Sequence, residues 1–146
     1  MKPNKKSLKK AFTMVELMAV LVIIGLLAAV VVRNFMGQTE RARVTTTKAS
    51  LRMLDEAVLS FKMDTGRYPT EEEGLEVLIE PPMDVENYPQ GGYLRTKELP
   101  RDGWANDFVY VPYPESGQQY EIISYGADRE EGGEGHNADL SSADAY

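Results

Sequence analysis

From residue 12 to residue 32 the chain is apolar almost without a break, reading "FTMVELMAVLVIIGLLAAVVV", 21 residues interrupted only by Thr13, Glu16 and Gly25. As a helix that length extends about 31 Å, close to the hydrocarbon thickness of a bilayer. The pattern then changes. Between 37 and 64, Val44, Leu51, Leu54, Val58 and Phe61 recur at spacings of seven, three, four and three, which draws one stripe along a helix. Glu40, Arg41, Arg43, Lys48, Arg52, Asp55, Glu56 and Lys62 fall largely on the other faces. The stripe is expected to pack on the chain's own globular part. Thr45, Thr46 and Thr47 are poor helix formers within it. Gly66 suits the position just past the helix, and Pro69 blocks its continuation. Thr70 and Glu73 then form a capping-box pattern for a short second helix over 71–79. Residues 108–111 and 120–124 cluster apolar and aromatic side chains around "PYPESGQQ", a turn at Gly117. They predict a small antiparallel sheet laid on the stalk helix, with Trp104 and the tyrosines as packing. The fold class is α+β.

Charge sharpens the picture of the amino-terminal run. Lys2, Lys5, Lys6, Lys9 and Lys10 precede it, and the formal net charge of the chain is −7. Setting those five lysines aside leaves 11 basic against 23 acidic side chains, a net of −12. So acidic a body argues against nucleic acid as a partner, because phosphate binding needs a basic surface. The lysines hold their end on the cytoplasmic side of a membrane and place the remainder outside. With no cysteine in the chain, disulfide staples and thiolate metal sites are excluded.

Glu16 is the anomaly. A charged side chain at the bilayer centre costs about 2.5–3.5 kcal/mol on insertion scales. A cleaved secretory signal would account for the basic residues, the apolar core and the small residues Ala28 and Ala29. However, the apolar core is long, and a charged amphipathic helix follows where a cleavage region would be. A simple single-span anchor leaves Glu16 unexplained. A third reading cuts the chain after Ala11. Phe12 then carries a new α-amino group, with Glu16 one helical turn downstream. An ammonium and a carboxylate at that spacing neutralise each other, within a chain or between staggered neighbours, and pairing removes most of the burial penalty.

The carboxy-terminal stretch "YGADREEGGEGHNADL" is the second anomaly. Residues 126–144 hold Asp128, Glu130, Glu131, Glu134, Asp139 and Asp144 against the single Arg129, together with four glycines. Repulsion and backbone entropy disfavour such a loop when bare. It reads either as a solvated acidic loop or as a Ca²⁺ site, since Ca²⁺ gathers six to eight oxygens. Residues 128–139 have the twelve-residue length of an EF-hand loop with Gly133 sixth, but Gly132 stands where the fifth-position acid belongs, and a strand precedes the loop. An EF-hand is rejected.

The basic leader, the small residue Ala11 and the run from Phe12 resemble the amino-terminal signal of type IV pilins and pseudopilins. "DTGRYPTEEEGLEVLIEPP", "YPQGGYL" and "LPRDGWANDFVYV" extend the resemblance to the major pseudopilins of the type II secretion system over nearly the whole chain. Two positions depart from the pattern: Ala11 stands where the family usually has glycine, and Arg33 where it usually has proline. The resemblance implies a pilin-like fold, cleavage after Ala11 by prepilin peptidase, methylation of Phe12, and polymerisation through the apolar helix with Glu16 setting register. It implies a leader over 1–11, a membrane and fibre-core helix over 12–33, and a periplasmic domain over 34–146. The location implied is the bacterial inner membrane, crossed once, and then the assembled pseudopilus. The partners implied are further copies of the chain, minor pseudopilins, the inner-membrane assembly platform with its ATPase, and membrane lipid. It also implies a calcium ion in the loop that begins at "GAD". Asp128 and Asp139 are its firmest ligands, with the Tyr125 carbonyl and a group near Glu130. Asn137 stands where an aspartate is common, and Glu134 is a candidate by chemistry alone. His136 is read as a bystander, because Ca²⁺ prefers oxygen.

No catalytic set stands out. The serines at 116, 124, 141 and 142 lack a nucleophile motif, and "GGEG" alone is no phosphate cradle. The role expected is structural rather than enzymatic. The alternatives kept are a type IV pilin or minor pseudopilin, and a secreted calcium-binding protein with an ordinary signal peptide. One copy per fibre rather than many would mark a minor subunit, while amino-terminal sequencing and the intact mass of the mature chain separate assembly from the secreted reading. The expected start is N-methyl-Phe12; a start beyond Ala28 would identify an ordinary signal peptide.

Overall fold

The computed structural model describes residues 12–86 and 88–145, with backbone alone at 32–36. The expected leader, Ala11 within it, and the side chain of Arg33 lie outside these residues. Helix α1 runs Met14–Thr65, 52 residues without interruption. Its first part is rich in Val and Ile, which are mediocre helix formers in water. In hydrocarbon the choice narrows, because every backbone N–H must find a partner within the segment. Internal contacts divide the chain into two compact units, Met1–Gln38 and Thr39–Tyr146.

In the first unit, Met14–Val31 is the one stretch among the described residues long and apolar enough to cross a membrane. Its large apolar side chains stand between 49 and 78% exposed, so no described residue covers them.

In the second unit the stripe behaves as its spacing predicts. Leu51, Leu54, Val58 and Phe61 are fully buried and meet Leu75, Leu78, Leu94 and Ile122 in one core. Val44 is only half-buried. The fully buried position on that turn is Thr47. Its Oγ1 donates to the Arg43 carbonyl at 2.9 Å and accepts the Gly103 N–H at 2.9 Å. A polar residue is tolerable there because both of its hydrogen-bonding capacities are met. Gly103 has to be glycine: a Cβ would lie 2.4 Å from the Arg43 carbonyl oxygen.

The helix stops where the sequence says it should. Gly66, at φ +78°, donates its N–H to the Lys62 carbonyl at 2.8 Å. The capping box beyond it also forms. The Thr70 N–H donates to Glu73 Oε2 at 2.9 Å, and the Glu73 N–H donates to Thr70 Oγ1 at 3.3 Å. The helix it opens is shorter and tighter than the expected 71–79: turns lead into a single 3₁₀ turn, Glu76–Leu78. The cause is Gly74, whose φ of +55° breaks the right-handed run.

Three antiparallel strands follow, β1 (Val109–Pro112), β2 (Tyr120–Ser124) and β3 (Leu140–Ser141), in the order β1-β2-β3. Val109 pairs with Ile123, Pro112 with Tyr120, and Ser124 with Leu140. Along β2, Tyr120, Ile122 and Ser124 point inward and are buried, while Glu121 and Ile123 alternate with them. The Tyr120 hydroxyl donates to Asp55 Oδ1 of α1 at 2.6 Å, tying the sheet to the helix. β3 was not expected. Two residues offer no period to read, and its pairing is dictated by β2.

One ion cluster holds the connection after α1. The Arg67 guanidinium forks onto both oxygens of Glu73 at 2.7 Å and also reaches Asp84 at 2.9 Å. The Arg67 hydrogen bonds hold the Glu73 carboxyl down at about 2, against an ordinary 4.5. A carboxyl whose folded-state pKa is depressed adds stability above its unfolded value, and that share is lost as pH falls through the folded value. Glu73→Gln removes the share. The difference in urea midpoint between the wild type and Glu73→Gln should be full at pH 7, shrink from pH 4.5 downward, and vanish below about pH 2.

Candidate functional site: the capped apolar helix and the acidic loop

At the start of α1, Thr13 and Glu16 close a capping box. The Thr13 N–H donates to Glu16 Oε2 at 2.9 Å, and its Oγ1–H donates to the same oxygen at 3.0 Å. The Glu16 N–H in turn donates to Thr13 Oγ1 at 3.2 Å. This T-x-x-E spacing is the same as that of Thr70 and Glu73, and it was available in the sequence; the reading of Glu16 through the Phe12 amine passed over it. Thr13 therefore satisfies part of Glu16 within the chain itself. Both bonds fall on Oε2, and an ionised carboxylate has about four lone-pair sites, so capacity for a cation remains. Phe12 is 81% exposed.

In the second unit the acidic loop leaves β2 at Tyr125. Gly126 is buried with φ +62°, and a Cβ there would press on the His136 and Ala138 carbonyl oxygens at 3.0 and 3.1 Å. Gly133 is packed as closely, with its Cβ position 2.5 Å from the Asn137 carbonyl oxygen. Glycine at both points lets the start of the loop lie directly against the backbone of residues 136–138. The Ala127 N–H donates to the His136 carbonyl at 3.0 Å and fastens the loop's two ends.

The expected ligands take the following places. Asp128 is exposed, and its Oδ1 accepts the Glu130 N–H at 3.3 Å. Asp139 is half-buried; its Oδ2 accepts the Gly132 N–H at 2.8 Å, while its Oδ1 is buried without a hydrogen-bond partner. Asn137 closes the 3₁₀ turn Gly135–Asn137, its N–H donating to the Glu134 carbonyl at 3.2 Å. Tyr125 is half-buried, and Glu130 and Glu134 are exposed. Among the described residues no three His, Asp or Glu side chains converge into a ready metal set. A cation held here would need backbone carbonyls to complete its shell, which suits Ca²⁺. The orphaned Asp139 Oδ1 fits that demand, since a buried unpaired carboxylate oxygen is costly unless something positive meets it.

Behind the loop lies an arrangement the sequence reading missed. Asp102 is 5% exposed and fully employed. Its Oδ1 accepts the Trp104 and Asn106 N–H groups at 2.9 and 2.8 Å, and its Oδ2 accepts the Ser124 hydroxyl at 2.7 Å. Asn106 donates its side-chain N–H to the Gly126 carbonyl at 2.8 Å and accepts from Arg129 Nε. The Trp104 indole N–H donates to Glu40 of α1 at 3.1 Å. The available signal was Asp followed by Gly in "RDGWAND", a pattern for an Asp side chain bonding the backbone just ahead of it.

A long helix that opens as an uncovered apolar segment, with a small antiparallel sheet packed on its later turns, defines a pilin-like subunit. Comparisons with known proteins narrow this. Residues 34–143 match the family described as type II secretion system (T2SS), protein G, and residues 6–32 match the prokaryotic N-terminal methylation motif. The type II secretion system core protein G of Vibrio cholerae serotype O1 is 40% identical over 141 residues, covering 95% of this chain and 94% of that protein. The protein of the same description from Escherichia coli K12 is 42% identical over 130 residues, covering 86% and 87%. The crystal structure of the major pseudopilin from the type 2 secretion system of enterohaemorrhagic E. coli superposes with a TM-score of 0.61 at 30% identity, covering 74% of this chain and 92% of that one. The chain belongs to the type II secretion system protein G family.

Proposed function

We propose that the chain is the major structural subunit of a type II secretion pseudopilus, a building block rather than a catalyst. The observation that carries the reading is the uncovered helix Met14–Val31 with Glu16 as its single charge. So much apolar surface in water is untenable, and only lipid or other apolar helices can cover it. Lipid covers it while the subunit waits as a single-span protein of the inner membrane, lysines inside and acidic body in the periplasm. Copies of itself cover it in a fibre. The assembly platform with its ATPase would drive the exchange, and minor pseudopilins would start it.

Prepilin peptidase would cut after Ala11 and free the Phe12 amine, which then carries the methyl group. That amine and the spare acceptor capacity of Glu16 complement each other. Thr13 holds the carboxylate partly satisfied beforehand, and a neighbour's amine completes it, so the pair fixes the stagger between subunits. Growth of the fibre would push exported proteins toward an outer-membrane channel.

In the acidic loop, Asp128 and Asp139, the Tyr125 carbonyl, and oxygens near Glu130, Glu134 and Asn137 would hold Ca²⁺. The ion supplies positive charge that offsets carboxylate repulsion. Gly126 and Gly133 admit the crowded backbone, and the bond from Ala127 to His136 brings the two ends of the loop together. In a chain without cysteine this serves as the clip.

Two outcomes test the reading. Glu16→Ala leaves membrane insertion unchanged, since it only removes a charge from an apolar run, but lowers crosslinked polymer by at least about tenfold, the factor for 1.4 kcal/mol of lost pairing. Wild-type polymer levels in that variant would refute the role given to Glu16. Chelation lowers the melting temperature of the periplasmic unit in the detergent-solubilised chain. At free Ca²⁺ of a hundred times Kd the linkage is about 2.7 kcal/mol, on the order of 10 °C for a domain near this size.

A further inference from the structure

We infer that Asn106, itself held by Asp102, is the positioning residue that presets the acidic loop for its cation. The inference rests on the calcium reading above but concerns residues outside the ligand set. Asn106 grips the segment 126–129 at both ends: its side-chain N–H holds the Gly126 carbonyl at 2.8 Å, and its Oδ1 receives Arg129 Nε. Between those two points lies Asp128. The grip works against backbone preference, because Arg129 sits at φ +65°, a left-handed value that residues with a side chain rarely adopt. Left to itself this segment would relax and carry Asp128 away.

Asn106 can act this way because its own backbone is tied down. Its N–H is fixed at 2.8 Å to Asp102 Oδ1, and the other Asp102 oxygen takes the Ser124 hydroxyl at 2.7 Å. Ser124 ends β2 and directly precedes Tyr125. One buried carboxylate thus sets both the residue that grips the loop and the strand end from which the loop departs. The same turn is anchored to α1 through Gly103 on Thr47 and Trp104 on Glu40. A metal ligand is only as well placed as the groups that orient it, and losing such an orienting partner typically weakens metal binding about 10- to 100-fold.

The contact borders an open cleft of about 370 Å³ lined by Arg101, Ala105, Asn106, Asp107, Tyr125 and Arg129. Shortening Asn106 therefore removes hydrogen bonds without emptying the core. The test uses the full chain in detergent micelles, titrated with CaCl₂ in a calorimeter, as wild type, Asn106→Ala and Asn106→Asp. The aspartate keeps the size of the side chain but cannot donate to the Gly126 carbonyl. Both variants should raise the calcium Kd about 10- to 100-fold. Melting in EGTA should fall only by the small share of the lost hydrogen bonds, while the rise in melting temperature at a fixed sub-saturating calcium concentration shrinks beyond that share. A wild-type Kd in both variants overturns the inference, as does an equal loss of melting temperature with and without calcium, which marks a purely structural role. A wild-type chain that shows no calcium binding overturns the calcium reading itself, and this inference with it.

Discussion

The second unit is organised by the apolar stripe of α1. Leu51, Leu54, Val58 and Phe61 have no remaining exposure, and burying each contributes about 1.5–3 kcal/mol. The 3₁₀ turn at Glu76–Leu78, the inward face of β2 and Ala145 all reach this stripe, so one side of one helix supplies the floor of the core. The opening segment of the same helix follows the opposite logic. It is apolar on every face but for Glu16, and no described residue covers it. A single continuous element is thus written for two solvents.

A core of this size needs reinforcement, and polar groups supply it where the apolar stripe does not reach. The Arg67 fork on Glu73 and Asp84 ties down the chain after α1. Asp102 gathers a turn, a strand end and, through Asn106, the start of the acidic loop. Arg52 Nε donates to the Ala145 carbonyl and returns the end of the chain to the helix. The bonds from Ser124 to Asp102 and from Arg52 to Ala145 join segments 22 and 93 residues apart, the kind of link that disulfides supply in small exported domains.

Periodicity and punctuation were legible because each depends only on near neighbours along the chain. The stripe, the stop at Gly66 and Pro69, the box at Thr70 and Glu73, and strand β2 all follow from such local rules. Tertiary demand was harder to read. Thr47 occupies the core because Gly103 arrives from 56 residues away to use its oxygen. The second helix tightened to a single 3₁₀ turn because Gly74 adopts a left-handed φ that the sequence permits but does not require. In the candidate sites, the acidic loop announced itself by its charge. Asp102 and Asn106 did not, since their significance lies in partners that only folding brings near. Thr13 obeys the same local rule as Thr70, because its spacing to Glu16 is that of Thr70 to Glu73.

The sheet closes off one route of association. Strand β1 lies at one edge and ends in Pro112, which has no N–H to offer; the other edge, β3, is two residues long. Edges so short and so poor in donors give an incoming strand almost nothing to zip onto. Strand addition at either edge would gain few hydrogen bonds, so the sheet gives poor purchase to a disordered, amyloid-like contact even where the chain is concentrated.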